Sequence, residues 1–242
     1  MALSFLTRLF LAPVLIWQGR QVKKKTPRLP EAAGPRSGHQ VGGPRKIRLL
    51  ILGDSAAAGT GVGRQEDCIA FQLPKALSSR YMVDWSLAAQ SGLTTVQMAD
   101  RLEQMAGHST DLAITSLGVN DVKAGMSISA FLDHQKRLIF LLRQRFQVSQ
   151  IIVTAVPPME KFPALPWPLN RYLGARAAAM NQALARWVEQ EGDITFLTLE
   201  LPFEDRLMAG DGFHPGPELH RIWAEQAAAL VKGGLGKPTY FP

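Results

Sequence analysis

The stretch Ile47-Arg48-Leu49-Leu50-Ile51-Leu52-Gly53-Asp54-Ser55 decides how the chain is read. Its apolar run is too short for a stable helix and suits a buried strand, which Gly53 ends. Gly53 also lets the chain turn tightly. Ser55 then stands just past the carboxyl end of that strand, at a strand-to-helix turn. Amides following such a strand can face an anion, which suits stabilisation of an oxyanion. An N-capping serine or a plain Asp-Ser turn would leave the same trace. The G-x-S-x-G elbow of α/β-hydrolases is absent around Ser55.

Downstream, short apolar runs alternate with longer amphipathic ones. Strands are expected at Tyr81–Leu87, Leu112–Leu117, Gln150–Val156 and Ile194–Leu199. Helices are expected at Ala70–Ser78, Thr95–Met105, Ser129–Phe146, Leu173–Gln190 and Glu218–Val231. Such alternation implies an α/β domain with a parallel sheet covered on both faces. Sites in these sheets form beyond the carboxyl ends of the strands, and candidate residues stand there. Gly92 follows the second strand and can offer an unobstructed backbone N–H. Asn120, in Gly118-Val119-Asn120-Asp121, follows the third and carries a side-chain amide donor, although Asn-Asp is also a common turn pair. Asp211-Gly212-Phe213-His214 precedes the last helix. An acid three residues before a histidine can hold its Nδ1–H and leave Nε2 free as a base towards Ser55. His39, His108, His134 and His220 have no such acid in a strand-end loop, and His108 and His134 read as surface residues. Gly59-Thr60-Gly61-Val62-Gly63 has Arg64 where a dinucleotide loop needs its third glycine, so nucleotide binding is set aside.

These four blocks, taken in order, resemble the motif blocks of the SGNH hydrolases, the GDSL-type esterase/lipase family, from about Ile47 to Val231. Ala56 stands where the GDSL name expects leucine. The resemblance implies a flavodoxin-like three-layer α/β/α sandwich with a parallel five-stranded sheet in the order 2-1-3-4-5. It implies a Ser55–His214–Asp211 triad, and an oxyanion hole from the Ser55 N–H, the Gly92 N–H and the Asn120 side chain. The implied reaction is hydrolysis of carboxylic esters, acyl or lipid-like, with neither metal nor organic cofactor. A thioesterase, a carbohydrate O-deacetylase and a non-catalytic lipid- or carbohydrate-binding module share this frame.

Composition sets the remaining bounds. The 242 residues are 46% hydrophobic and 19% charged, which suits one well-buried domain with a short extra segment. The lone Cys68 excludes an internal disulfide and gives no support for an oxidising compartment. Ten Lys or Arg against the single acid Glu31 give residues 1–48 a charge of +9, while the rest, with 17 bases and 19 acids, carries −2. A nucleic-acid-binding face on the folded part is therefore not expected.

Residues 1–25 join an apolar stretch ending at Trp17 to Lys23-Lys24-Lys25. The uninterrupted apolar run Leu9–Trp17 is short for a membrane span, and basic residues stand where a signal cleavage site would want small ones. An anchor on an anionic membrane surface is one reading and a helix packed on the domain another. The corresponding locations are cytoplasmic, peripheral at the inner membrane, or periplasmic through a signal anchor. Residues 26–46, rich in Pro and Gly, read as an extended or disordered linker. The hydrolase domain is placed at 47–232 and a tail at 233–242. The Pro-rich loop 157–168, with Phe162 and Trp167, is a candidate wall for an acyl pocket.

Overall fold

The computed structural model describes residues 5–202, 204–231, 233 and 235, with side chains from residue 11 onward. Most of the expected tail therefore lies outside the described residues. Five parallel strands build the centre: β2 (Arg45–Gly53), β3 (Tyr81–Ala89), β4 (Leu112–Ser116), β5 (Gln150–Thr154) and β6 (Ile194–Leu197). Their order, β3-β2-β4-β5-β6, is the expected 2-1-3-4-5.

The alternation of side chains along a strand sends successive residues to opposite faces, and here both faces are buried. Leu50 and Leu52 of β2 join one apolar cluster, and Ile47, Leu49 and Ile51 the other. Helices α3 (Thr95–Gln104), α5 (Ile128–Phe146) and α6 (Leu169–Val188) cover the first face through Met98, Leu102, Phe131, Leu142 and Met180. Helices α2 (Ile69–Leu77) and α7 (Pro217–Ala229) cover the second through Leu73, Trp223 and Ala227. The result is a three-layer α/β/α sandwich.

The sheet has six strands, not five. Strand β1 (Ser37–Gln40) pairs antiparallel with β3 at the edge. It falls inside the stretch expected to be a linker. Ser37-Gly38-His39-Gln40 has no apolar alternation because three of its four residues are exposed, and backbone pairing rather than burial holds it. His39 Nδ1 also meets Asp84 on β3 at 2.7 Å, so His39 has an acid partner, though at the sheet edge. His108 is exposed as expected, while His134 is half-buried.

The N-terminal segment takes the helical form that was one of its two readings, and one further short helix goes beyond the expected set. α1 (Phe5–Lys25) joins the apolar and basic parts of the N-terminal segment and rests Leu15 and Val22 on the core beside α6. Among the described residues no helix is long and apolar enough to cross a membrane. α4 (Val119–Lys123) replaces the turn that Asn120-Asp121 suggested.

Candidate active site

β2 delivers Asp54 and Ser55 to the top of the sheet. Asp54 N donates to Ser116 O (3.1 Å), which ties the first residue after β2 to the end of β4. The chain then runs through turns rather than directly into a helix, since Ala58 N returns to Asp54 O and Thr60 N to Ser55 O, each at 3.0 Å. α2 begins only at Ile69. Ser55 is left half-buried at the rim.

The loop before α7 brings His214 to it. Ala209 N donates to His214 O (2.8 Å) and Gly216 N to Leu207 O (2.9 Å), which closes the loop on itself. Inside it, Asp211 Oδ1 accepts from both Phe213 N and His214 N at 3.0 Å. Asp211 Oδ2 lies 2.6 Å from His214 Nδ1, and His214 Nε2 lies 2.8 Å from Ser55 Oγ. Asp211, His214 and Ser55 therefore form one continuous hydrogen-bonded chain. Burial pushes the Asp211 carboxyl up, but the bonds from the His214 imidazole and the two amides outweigh it and hold it below the usual carboxylate range.

Asn120 sits at the start of α4, next to this chain. Its Nδ2 donates to Leu93 O (3.0 Å) and Asp54 Oδ2 (3.2 Å), and Lys123 Nζ, one turn on, donates to its Oδ1 (3.2 Å). Asn120 thereby links the serine block to the loop carrying Gly92, whose φ of +86° favours glycine. Gly92 and Asn120 thus join the site through Asp54 and Leu93 rather than through a bond to Ser55 or His214. Asp121, fully buried, accepts from Thr95 N and Oγ1, both at 3.1 Å, and pins the start of α3 beneath that loop.

Asp54 and Lys123 were not singled out by sequence. Lys123 had a signal: three residues after Asn120, it shares a helical face with it once 119–123 is read as helix. Asp54 had none beyond its neighbour Ser55. Asp54 is 2% exposed, accepts Ala56 N (3.1 Å) as well as Asn120 Nδ2, and burial raises its pKa to about 6 against the pull of Ala56, His214 and Lys123. A carboxyl that holds its proton more tightly when folded stabilises the fold at low pH and loses that contribution as pH rises through its folded value. Replacing Asp54 by Asn removes the titration. The stability of the wild type relative to D54N is therefore expected to fall by about 2 kcal/mol between about pH 4 and pH 7. Chemical denaturation of both proteins across that range measures it, and a constant difference contradicts it.

His220 is buried under the site. Its Nδ1 accepts Ile69 N (3.2 Å), and burial, helped by the nearby His214, drives its pKa down to about 3. It is a neutral core residue. An apolar hollow of about 60 Å³ opens beside Asp54 and Ala56, walled by Phe162, Phe213, Leu201 and Met208. Phe162 is buried and packs edge-on against Phe213 at 4.9 Å, whereas Trp167 is 75% exposed and does not line it. Of the two aromatic residues expected as a wall, the structure places Phe162 there.

A doubly covered parallel sheet with a linked serine, histidine and aspartate beyond its strand ends defines a hydrolase-type α/β/α sandwich. Residues 51–222 match the model of the GDSL-like lipase/acylhydrolase family, and the chain belongs to that family. It is 22% identical over 209 residues to a GDSL-like esterase of Mycobacterium tuberculosis, covering 82% of this chain and 66% of that protein. Its fold is similar to that of a carbohydrate esterase family 2 enzyme of Myceliophthora fergusii, with a TM-score of 0.63 and 18% identity over 78% of this chain and 66% of that one. It is also similar to the esterase EstA of Pseudoalteromonas sp., with a TM-score of 0.54 and 20% identity over 76% of this chain and 95% of that one.

Proposed function

We propose that this protein hydrolyses carboxylic esters through an acyl-enzyme on Ser55, with His214 as general base and Asp211 holding it. The observation that carries the reading is the unbroken chain Asp211–His214–Ser55 at the strand ends, with both imidazole nitrogens engaged. His214 Nε2 takes the Ser55 proton as Oγ bonds to the ester carbonyl carbon, and the carbonyl electron pair moves onto its oxygen. The Ser55 N–H, the Gly92 N–H and Asn120 Nδ2 receive that oxyanion, Asn120 giving up its longer bond to Asp54. On collapse the bond to the leaving alcohol breaks and His214 protonates it. His214 then takes a proton from water as it attacks the acyl carbon, the bond to Ser55 Oγ breaks, and His214 returns that proton to Oγ as the acid leaves. Each proton in this cycle is carried by Ser55, His214 or water.

The apolar hollow of about 60 Å³ beside Asp54 and Ala56, the neighbours of Ser55 in sequence, offers Phe162, Phe213 and Leu201 as walls for a short acyl group. Among the alternatives this favours an O-deacetylase over a long-chain lipase. The test is hydrolysis of a p-nitrophenyl ester series from acetate to palmitate by the wild type and by Ser55→Ala. Turnover of the short members by the wild type alone supports the reading. Wild-type inertness on every member favours a binding module.

A further inference from the structure

The strand β1 explains only part of the N-terminal arm. Residues 29–36 cross over the ends of β2 and β3 and are bonded into both loops of the proposed site. Gly61 N donates to Pro30 O (2.9 Å), and Gln65 N to Ala33 O (2.8 Å). A Cβ on Gly59 would meet Cys68 Sγ at 2.3 Å and Ala32 Cβ of the arm at 2.9 Å, and one on Gly61 would meet Ala209 Cβ at 2.6 Å and Leu29 Cδ1 of the arm at 2.8 Å. Glycine at both positions leaves room for Cys68 and Ala209 as well as for the arm. Glu31 stands at its centre. One carboxylate oxygen, Oε1, accepts Ser91 N at 2.6 Å, and the other pairs with Arg36, whose second nitrogen donates to Ala89 O (2.6 Å). Ser91 Oγ is fixed in turn by Thr60 Oγ1 at 2.8 Å.

We propose that Glu31 is a positioning residue for the reaction: by holding the Ser91 amide, it aims the next amide, that of Gly92, at the substrate oxyanion. This rests on the assignment of Gly92 to the oxyanion hole. Arg36 neutralises the carboxylate, so that its charge does not oppose the oxyanion one residue away. Burial pushes Glu31 up, but the hydrogen bonds from Ser91 and Arg36 bring it net below the ordinary range, so it stays ionised at neutral pH.

The test uses the full chain and a fluorophosphonate, which forms a tetrahedral adduct on an activated serine without any knowledge of the natural substrate. Ester kinetics run in parallel. Glu31→Ala is expected to slow labelling and lower kcat about tenfold to a hundredfold, somewhat less than deletion of an oxyanion donor, with KM within about twofold. Glu31→Gln keeps an oxygen that accepts Ser91 N, so it should recover to within about threefold of the wild type. Unchanged kcat in Glu31→Ala, a loss confined to KM, or equal losses in both variants overturns the proposal. Failure of the underlying reading looks different, since the wild-type adduct would then not map to Ser55.

A separate observation concerns α1. Leu15 and Val22 face the core, while Val14, Ile16 and Trp17 are 42%, 56% and 61% exposed on the other side. Trp167, 75% exposed, stands on the segment that Gln18 holds beside α1, where Gln18 Nε2 donates to Trp167 O (2.7 Å) and Leu169 N donates to Gln18 Oε1 (3.2 Å). Exposed Arg20, Lys23, Lys24, Lys25 and Arg28 follow, with no acid before Glu31. Exposed tryptophans beside a cationic cluster are complementary to the headgroup region of an anionic bilayer. We infer that this face docks on an anionic lipid surface. The full chain is sedimented with phosphatidylcholine vesicles with and without phosphatidylglycerol. Binding only to the anionic vesicles is expected. It should drop about tenfold or more in Trp17→Ser/Trp167→Ser and in Lys23→Gln/Lys24→Gln/Lys25→Gln, while the tryptophan variant keeps wild-type hydrolysis of a soluble ester. No vesicle binding, or binding untouched by both changes, overturns the proposal. So does a concentration-dependent dimer abolished by the tryptophan changes, which would make the patch a self-association face.

Discussion

Ser55→Ala is expected to lower kcat by about 10⁴-fold to 10⁶-fold while leaving the fold intact. Oγ is the only atom of this side chain placed to form a bond to the substrate. Without it, His214 has nothing to deprotonate on the enzyme. What remains is the polarisation of a bound ester by the oxyanion donors, which explains why the residual rate is small and not zero. The side chain is half-buried and its hydroxyl bonds to His214 alone among the described residues, so the loss in stability should be about 1 kcal/mol or less. Steady-state kinetics on the ester series, beside a thermal melt, separates the two effects. A variant as active as the wild type would remove Ser55 from the mechanism.

Asp211→Asn should be nearly as damaging, at about 10⁴-fold in kcat, for a different reason. The replacement is isosteric. Its oxygen can still accept Phe213 N and His214 N, so the loop keeps its shape. Its NH2 then faces His214 Nδ1, where the carboxylate had accepted a proton donor at 2.6 Å. That contact is favourable only if Nδ1 is the unprotonated nitrogen. The proton then sits on Nε2, which can no longer take one from Ser55. The variant should therefore bind substrate with KM little changed and fail in kcat. The same substitution carries a stability signature. Because Asp211 is held below the ordinary carboxylate range, its ionised form stabilises the fold above that range, and the contribution is lost as pH falls through its folded value. The gap between wild type and variant should thus close towards strongly acidic pH.

Much of this was legible in one dimension. Buried parallel strands announce themselves as short apolar runs between amphipathic helices, and all five were found, while their order was implied by the family resemblance. The serine, asparagine and histidine blocks were legible because each follows a strand or precedes a helix at a position where chemistry, not packing, selects the residue. The misses have a common cause. β1 is an edge strand with no apolar side chain to bury, so its existence depends on β3 being there to pair with. The stretch around it reads as linker because Pro and Gly usually mark one, yet here Pro30 and Ala33 bond to the chain around Gly61 and Gln65.

The sequence by itself determined the α/β class, the positions of the five parallel strands and the candidate side chains that follow their ends; the strand order came with the family resemblance. Periodicity and spacing are local properties that the chain carries before it folds. Only the tertiary structure decided that Glu31 meets Ser91 across 60 positions, that Asp54 and Lys123 flank Asn120, and that Phe162 rather than Trp167 walls the hollow. Those are contacts between segments distant in sequence. Which partner a buried polar group finds is settled only when the layers close and water is excluded from around it.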